Sequence, residues 1–173
     1  MDWLHRLLGR GVPEPIASAL DPGEEVVASG PVGTGGHVAV TALGLWVPGG
    51  QGVRRVGWHR ISKATWAGDV LTVVEAEVTG HAGQAELLAD RRPARFVLPR
   101  PGRIPHTVRL RVEGSIRDRY RKELSGGGAW FVVRKIPGED RSVLQVRPDP
   151  GTDAGVVAAI AEEAARKLAD PEL

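Results

Sequence analysis

Between residues 91 and 122 the chain gathers eleven basic side chains: Arg91, Arg92, Arg95, Arg100, Arg103, Arg109, Arg111, Arg117, Arg119, Arg121 and Lys122. Only Glu113 and Asp118 oppose them, so the stretch carries +9 while the other 141 residues carry −7 of a total of +2. Arginine supplies 19 of the 23 basic residues, and its planar fork matches phosphate and carboxylate oxygens bidentately. Charge segregated in this way draws anionic partners whatever the overall balance. The expectation is a binding face for an acidic protein surface or an anionic membrane surface. Nucleic acid is a weaker expectation, because the only rings interleaved with the cations are Phe96, His106 and Tyr120, too few for base stacking. A solvated face, paired in part with Asp149, Asp153, Glu162 and Glu163 of the tail, is the structural alternative.

Nothing else in the chain spells out chemistry. There is no cysteine, which removes disulfides, thiolate ligands and thiol nucleophiles together. His5, His37, His59, His81 and His106 lack paired ligand spacing, so no metal site is expected. Gly33-Thr34-Gly35-Gly36 lacks both the G-x-G-x-x-G spacing and a following Lys-Ser/Thr, and reads as a hairpin turn. The carboxylate pairs Glu24-Glu25 and Glu75/Glu77 read as solvated surface charge, and no serine sits in a G-x-S-x-G elbow. The expectation is a protein that is not an enzyme and takes no cofactor. An enzyme with a dispersed site around His59, Asp69 or Glu75 is the rival from another class.

A chain of 173 residues suits one domain with an appended element. No apolar run approaches the ~20 residues of a membrane-spanning helix, and no secretory leader is evident, which points to the cytoplasm. The first helix candidate, Asp2 to Gly9, puts Trp3, Leu4, Leu7 and Leu8 on one face, either docked on the protein or lying on the inner membrane surface. Residues 1–20 would thus form a short amphipathic helix and connector, 21–124 a β-rich domain with a capping helix, and 125–173 a hairpin and helix packed on the same domain.

From Glu24 onward turn residues arrive every eight to twelve positions, as in an antiparallel meander. The candidate strands are Glu24–Ser29, His37–Ala42, Leu45–Pro48, Arg54–His59, Lys63–Trp66, Val70–Val78, Ala85–Leu88 and Arg95–Leu98. Beyond Arg103 two periods compete. Val108, Leu110 and Val112 alternate with Arg109, Arg111 and Glu113 as in a strand, but Ile104, Val108, Val112, Ile116, Tyr120 and Leu124 recur every four residues. The second pattern favours a helix from Ile104 to Leu124, ended by Ser125-Gly126-Gly127-Gly128. The tail reads as a hairpin, Trp130–Ile136 with Val143–Arg147, followed by a helix from Asp153 to Leu168.

The run Val38-Ala-Val-Thr-Ala-Leu-Gly-Leu-Trp-Val47 followed by Val56-Gly-Trp-His-Arg-Ile61 resembles the bacterial pleckstrin-homology-like and GRAM domains over about residues 21–120. Those domains carry a Thr-x-x-Gly-Leu hairpin, then a Trp shortly before an Ile. The resemblance implies an α+β fold, a PH/GRAM-like barrel or bent sheet capped by a helix, and a scaffold that binds anionic lipids or proteins without doing chemistry. Its lipid-binding members carry basic residues in the loop between the first strands, whereas Val32–Gly36 here has none.

Overall fold

The computed structural model describes residues 12–170, so the Trp3/Leu4/Leu7/Leu8 face lies outside the described residues. The architecture is mixed α+β. A short helix α1 (Glu14–Ala17) leads into β1 (Val26–Pro31), β2 (His37–Thr41), β3 (Gly44–Gly49) and β4 (Gly52–Gly57), an antiparallel sheet in sequence order. The hairpin between β2 and β3 is fixed by its own side chains. Thr41 Oγ1 accepts from the Leu43 and Gly44 amides at 3.1 and 3.3 Å, and a Cβ on Gly44 would lie 2.3 Å from the Val56 carbonyl oxygen. Trp58 locks the same corner from the next turn, its Nε1 donating to Thr41 O at 3.0 Å.

A single 3₁₀ turn, Trp58–Arg60, passes the chain to the second sheet: β5 (Ile61–Ala67), β6 (Val70–Ala82), β7 (Ala85–Asp90) and β8 (Ala94–Val97). The 13-residue β6 is the pivot of the molecule. One of its edges pairs with β5; the other pairs with β8 along Val70–Val73 and with β7 along Ala76–Ala82. Register shifts opposite Val74–Glu75 and at Val78–Gly80 bend it, as bulges do. Leu71 and Val73 therefore enter one core while Ala82 enters another.

Helix α2 (Ile104–Ser115) follows β8 and drives Ile104, Val108 and Val112 into the first core, beside Val38, Val40, Leu45, Trp58, Ile61 and Leu98. The expected helix from Ile104 to Leu124 is corrected here: it stops at Ser115, and Ile116–Leu124 is strand β9, antiparallel to β10 (Gly127–Lys135). Gly114 weakens the last turn, and Ile116 takes extended angles (φ −82°, ψ 119°). The four-residue recurrence misled because Tyr120 and Leu124, four apart, share a strand face as readily as a helix face. On that face Tyr120 stacks on Phe131 at 5.0 Å between ring centres. The glycines after Ser125 accordingly form a hairpin turn and the start of β10.

Strand β11 (Ser142–Pro148) pairs antiparallel with β10 and, at Gln145 and Val146, parallel with β7, which joins the tail to the second sheet. The strand order is then β5-β6-β7-β11-β10-β9, with β8 on the side of β6. Helix α3 (Ala154–Ala169) starts on the Asp153 cap, whose carboxylate accepts from the Val156 amide at 2.9 Å. It buries Val157, Ala161 and Ala165 on Phe131, Val133, Leu144 and Val146, a core of its own.

Candidate binding face around helix α2

Arg134 ties β10 to the 3₁₀ turn, the start of β5 and the carboxyl end of α2. Arg134 projects from the face of β10 opposite α3 and is 2% exposed. Its Nη1 donates to Ile61 O at 2.7 Å, and its Nη2 donates to Trp58 O at 2.7 Å and Ser115 Oγ at 2.6 Å. Nε also reaches Ser115 Oγ at 3.1 Å, and Val112 O lies 3.4 Å from Nη2. Every acceptor is neutral, two of them at the carboxyl end of α2, where the helix dipole favours a cation. Burial, with help from Arg147 and Arg60, lowers the Arg134 pKa to about 10, which leaves it charged at neutral pH.

The polar groups beside it are likewise consumed by structure. Arg60 grips Glu86 bidentately at 2.6 Å on both oxygens, and Gln145 Nε2 donates to His59 O at 2.8 Å. Burial raises the Glu86 pKa, but the Arg60 bonds outweigh it and the net shift is downward. His59, in the 3₁₀ turn and not in a strand, is held neutral: burial first, then Arg60, lower its pKa to about 4. Glu24 is also no solvated carboxylate. Its side chain is 1% exposed and accepts from the Asp21 amide, Thr41 Oγ1, Trp46 Nε1 and Arg55 Nη1 at 2.7–2.9 Å. Burial works against its ionisation, yet these bonds win and its pKa is lowered.

The eleven cations do not form one patch. Arg91 pairs with Glu77 at 3.3 Å and, with Arg92, borders a small hollow against Arg54 and Glu75. Arg95 and Arg100 are exposed, and Arg103 Nη2 donates to Val27 O at 2.9 Å, tying α2 to β1. Arg121 is taken up by Asp149 and Glu123 and lies 5.7 Å over the Trp130 ring, and these carboxylates raise its pKa. Lys122 is exposed on β9. What remains divides between the two flanks of α2.

One flank is a groove of about 580 Å³ floored by Pro105, Arg109 and Val112 of α2. Residues 62–66 of β5 form one wall, Ile116 and Arg119 of β9 the other. These strands are the two ends of the strand order, so each turns an unpaired sheet edge outward. Lys63, Arg109 and Arg119 line the groove against Glu113 alone, which Arg109 already holds at 3.2 Å. Trp66, 38% exposed, stands at its rim. The other flank is a cleft of about 440 Å³ where Arg111, Arg117 and Lys135 converge among Leu43, Leu110 and Pro137.

The basic run contains Arg109, Arg111, Arg117 and Arg119 but not Lys63 and Lys135, which reach α2 from other strands without a local signal. Of the tryptophans expected to mark a partner interface if exposed, Trp46, Trp58, Trp66 and Trp130, only Trp66 and Trp130 are exposed. Among the described residues no group of three or more His, Asp or Glu is arranged for a metal, and no helix is long and apolar enough to cross a membrane. No family model, curated protein or solved structure matches the chain, so the site is read from its own geometry.

Proposed function

We propose that this protein is a non-enzymatic binding module of PH/GRAM-like build that captures an extended acidic segment of a protein partner in the groove between β5 and β9. The fold reading is supported by the order of elements: four strands in one sheet, three (β5, β6, β8) in the next, and then a helix whose Ile104, Val108 and Val112 fill the core between them. The appended β9 supplies the second wall of the groove through Ile116 and Arg119.

The observation that carries the function is the coincidence, in one groove, of two unpaired strand edges with an excess of cations. A peptide laid along a sheet edge gains main-chain hydrogen bonds for affinity and side-chain pockets for register. Lys63 and Arg119, with no carboxylate partner among the described residues, select an acidic sequence. Trp66 supplies the large aromatic contact that dominates many binding hot spots. A protein segment fits better than a bilayer because the cations lie within a groove, where a flat lipid surface would not reach them together.

The test uses a fluorescent peptide of alternating Glu and Val with the full-length protein at low salt. Saturable binding is expected, weakened at least about tenfold by Arg119→Glu and by Trp66→Ala. Sedimentation with anionic vesicles, in the absence of peptide binding, would replace this reading with a membrane-surface one.

A further inference from the structure

We propose that the cleft on the other flank of α2 is a separate binding site for a phosphate monoester carried on an apolar or aromatic group. Arg111 comes from α2, Arg117 from β9 and Lys135 from the end of β10, and all three line one concave space. No carboxylate lines it, and none of the three has an ion-pair partner among the described residues. At about 440 Å³ the cleft is of the size that takes small ligands, which typically occupy ~300–1,000 Å³. Leu43, Leu110, Pro137 and the edge of Trp58 give it apolar walls suited to the carrier.

Two further observations separate this cleft from an ordinary charged surface. Cations gather near the carboxyl end of a helix simply to meet its dipole, but here Arg134 already meets it from inside, bonded to Ser115 Oγ and near Val112 O. Arg111, Arg117 and Lys135 are left facing outward with their charge unspent. The second observation is Gly114. Its backbone is helical, with no positive φ, and a Cβ added there would meet no atom within 4 Å. Neither conformation nor packing requires glycine, and its presence forgoes the helix propensity of alanine. What the missing side chain does is leave the cleft open.

A phosphate dianion against two guanidinium forks and an ammonium would form several charge-assisted hydrogen bonds at once. The carrier could belong to a free metabolite or to a phosphorylated side chain of a protein, since the recognising chemistry is the same. The site shares no lining residue with the β5–β9 groove, and so stands or falls independently of the peptide reading.

Titration calorimetry with phenyl phosphate and, separately, with a phosphotyrosine peptide tests it, using the full-length protein at low and moderate salt. Saturable binding is expected, weakening with salt. Gly114→Glu, which introduces a carboxylate into the cleft, should abolish it, and Arg117→Ala and Lys135→Ala should each weaken it about tenfold. Arg119→Glu should leave it unchanged while disabling the peptide groove. Equal affinity for both probes assigns the site to free metabolites, and a clear gain for the peptide assigns it to a modified protein. Absence of saturable binding of either probe at millimolar concentration would overturn the proposal. So would wild-type binding by the Arg117→Ala and Gly114→Glu variants, with Arg117→Ala covering the case in which the glycine variant is misfolded.

Discussion

Arg134 and Arg117 sit at the same end of α2 and use the same charge in opposite ways. Arg134 is enclosed, its donors spent on neutral acceptors from the 3₁₀ turn, β5 and the end of α2. Arg117 lines an open cleft that no carboxylate lines. The first holds β10 against the 3₁₀ turn and the end of α2, since a buried ion persists only where its hydrogen bonds replace those of water. The second contributes nothing visible to the fold. Charge density along the sequence does not distinguish them: Arg117 belongs to the basic run, whereas Arg134 lies outside it in a strand of ordinary composition. Burial and partners mark which cations are architecture and which are available to a ligand.

The contrast is tested most strongly by Arg134→Met, which removes the cation and its bonds to the Trp58 and Ile61 carbonyls and to Ser115 Oγ, leaving Trp58 O with the Ile61 amide and Ser115 Oγ with Val112 O. We expect a loss of about 3–5 kcal/mol, read by urea denaturation, against no measurable change for Arg117→Ala. A loss below about 1 kcal/mol would show that the junction of β10, the 3₁₀ turn and α2 does not depend on Arg134.

Glu24→Gln comes next, with about 2 kcal/mol lost at neutral pH because Arg55, Trp46 and Thr41 lose their charged acceptor. The folded-state pKa of Glu24 is lowered, so its contribution is present above the ordinary value of 4.5 and lost as pH falls through the lowered one. Wild type and variant should therefore converge in acid. Stability curves that stay parallel would contradict the network.

His59 has the same pH sign by a different route, since the fold favours its neutral form where it favours the charged form of Glu24. Its pKa falls from 6.5 unfolded to about 4 folded, so the unfolded chain binds more protons between those values and stability drops as pH falls from 6.5 to 4. Allowing for its partial exposure, His59→Leu should flatten that limb by roughly 1–2 kcal/mol. An unchanged slope would mean that His59 titrates normally.

Smaller effects sharpen the surface side of the comparison. Gly114→Ala should stabilise the protein by roughly 0.5–1 kcal/mol, since the helix gains propensity and a Cβ finds open space. A destabilised variant would show that glycine is structurally required and weaken the case for an open cleft. Arg109→Ala breaks only an exposed i,i+4 pair with Glu113 and should cost about 0.3 kcal/mol by thermal unfolding.

Much of the frame was legible in sequence. The alternation and turns located the strands from β1 to β8, the tail hairpin and the Asp153-capped helix to within a few residues, and the α+β class followed. The helix after Ile104 was legible too, but its end was not, because Tyr120 and Leu124 satisfy both periods and only pairing with β10 decides between them. The parallel contact of β7 with β11 had no local signal, nor did the burial of Glu24 beneath Trp46 and Arg55. Of the two flanks of α2, the run from Arg91 to Lys122 supplied Arg109, Arg111, Arg117 and Arg119, while Lys63, Trp66 and Lys135 arrive from strands far along the chain.

The sequence by itself determined the inventory and the local rules: where strands alternate, where turns break them, which cap starts α3, and that cations crowd one stretch. Those depend on neighbours a few residues apart, so composition and spacing express them directly. Tertiary structure alone decided which of those cations keep a free charge, which strand edges stay open, and that Arg134 is enclosed. Each of these depends on solvent exclusion and on partners brought from 19 to 76 positions away, as with the Ser115 and Trp58 acceptors of Arg134, and no local pattern encodes such encounters.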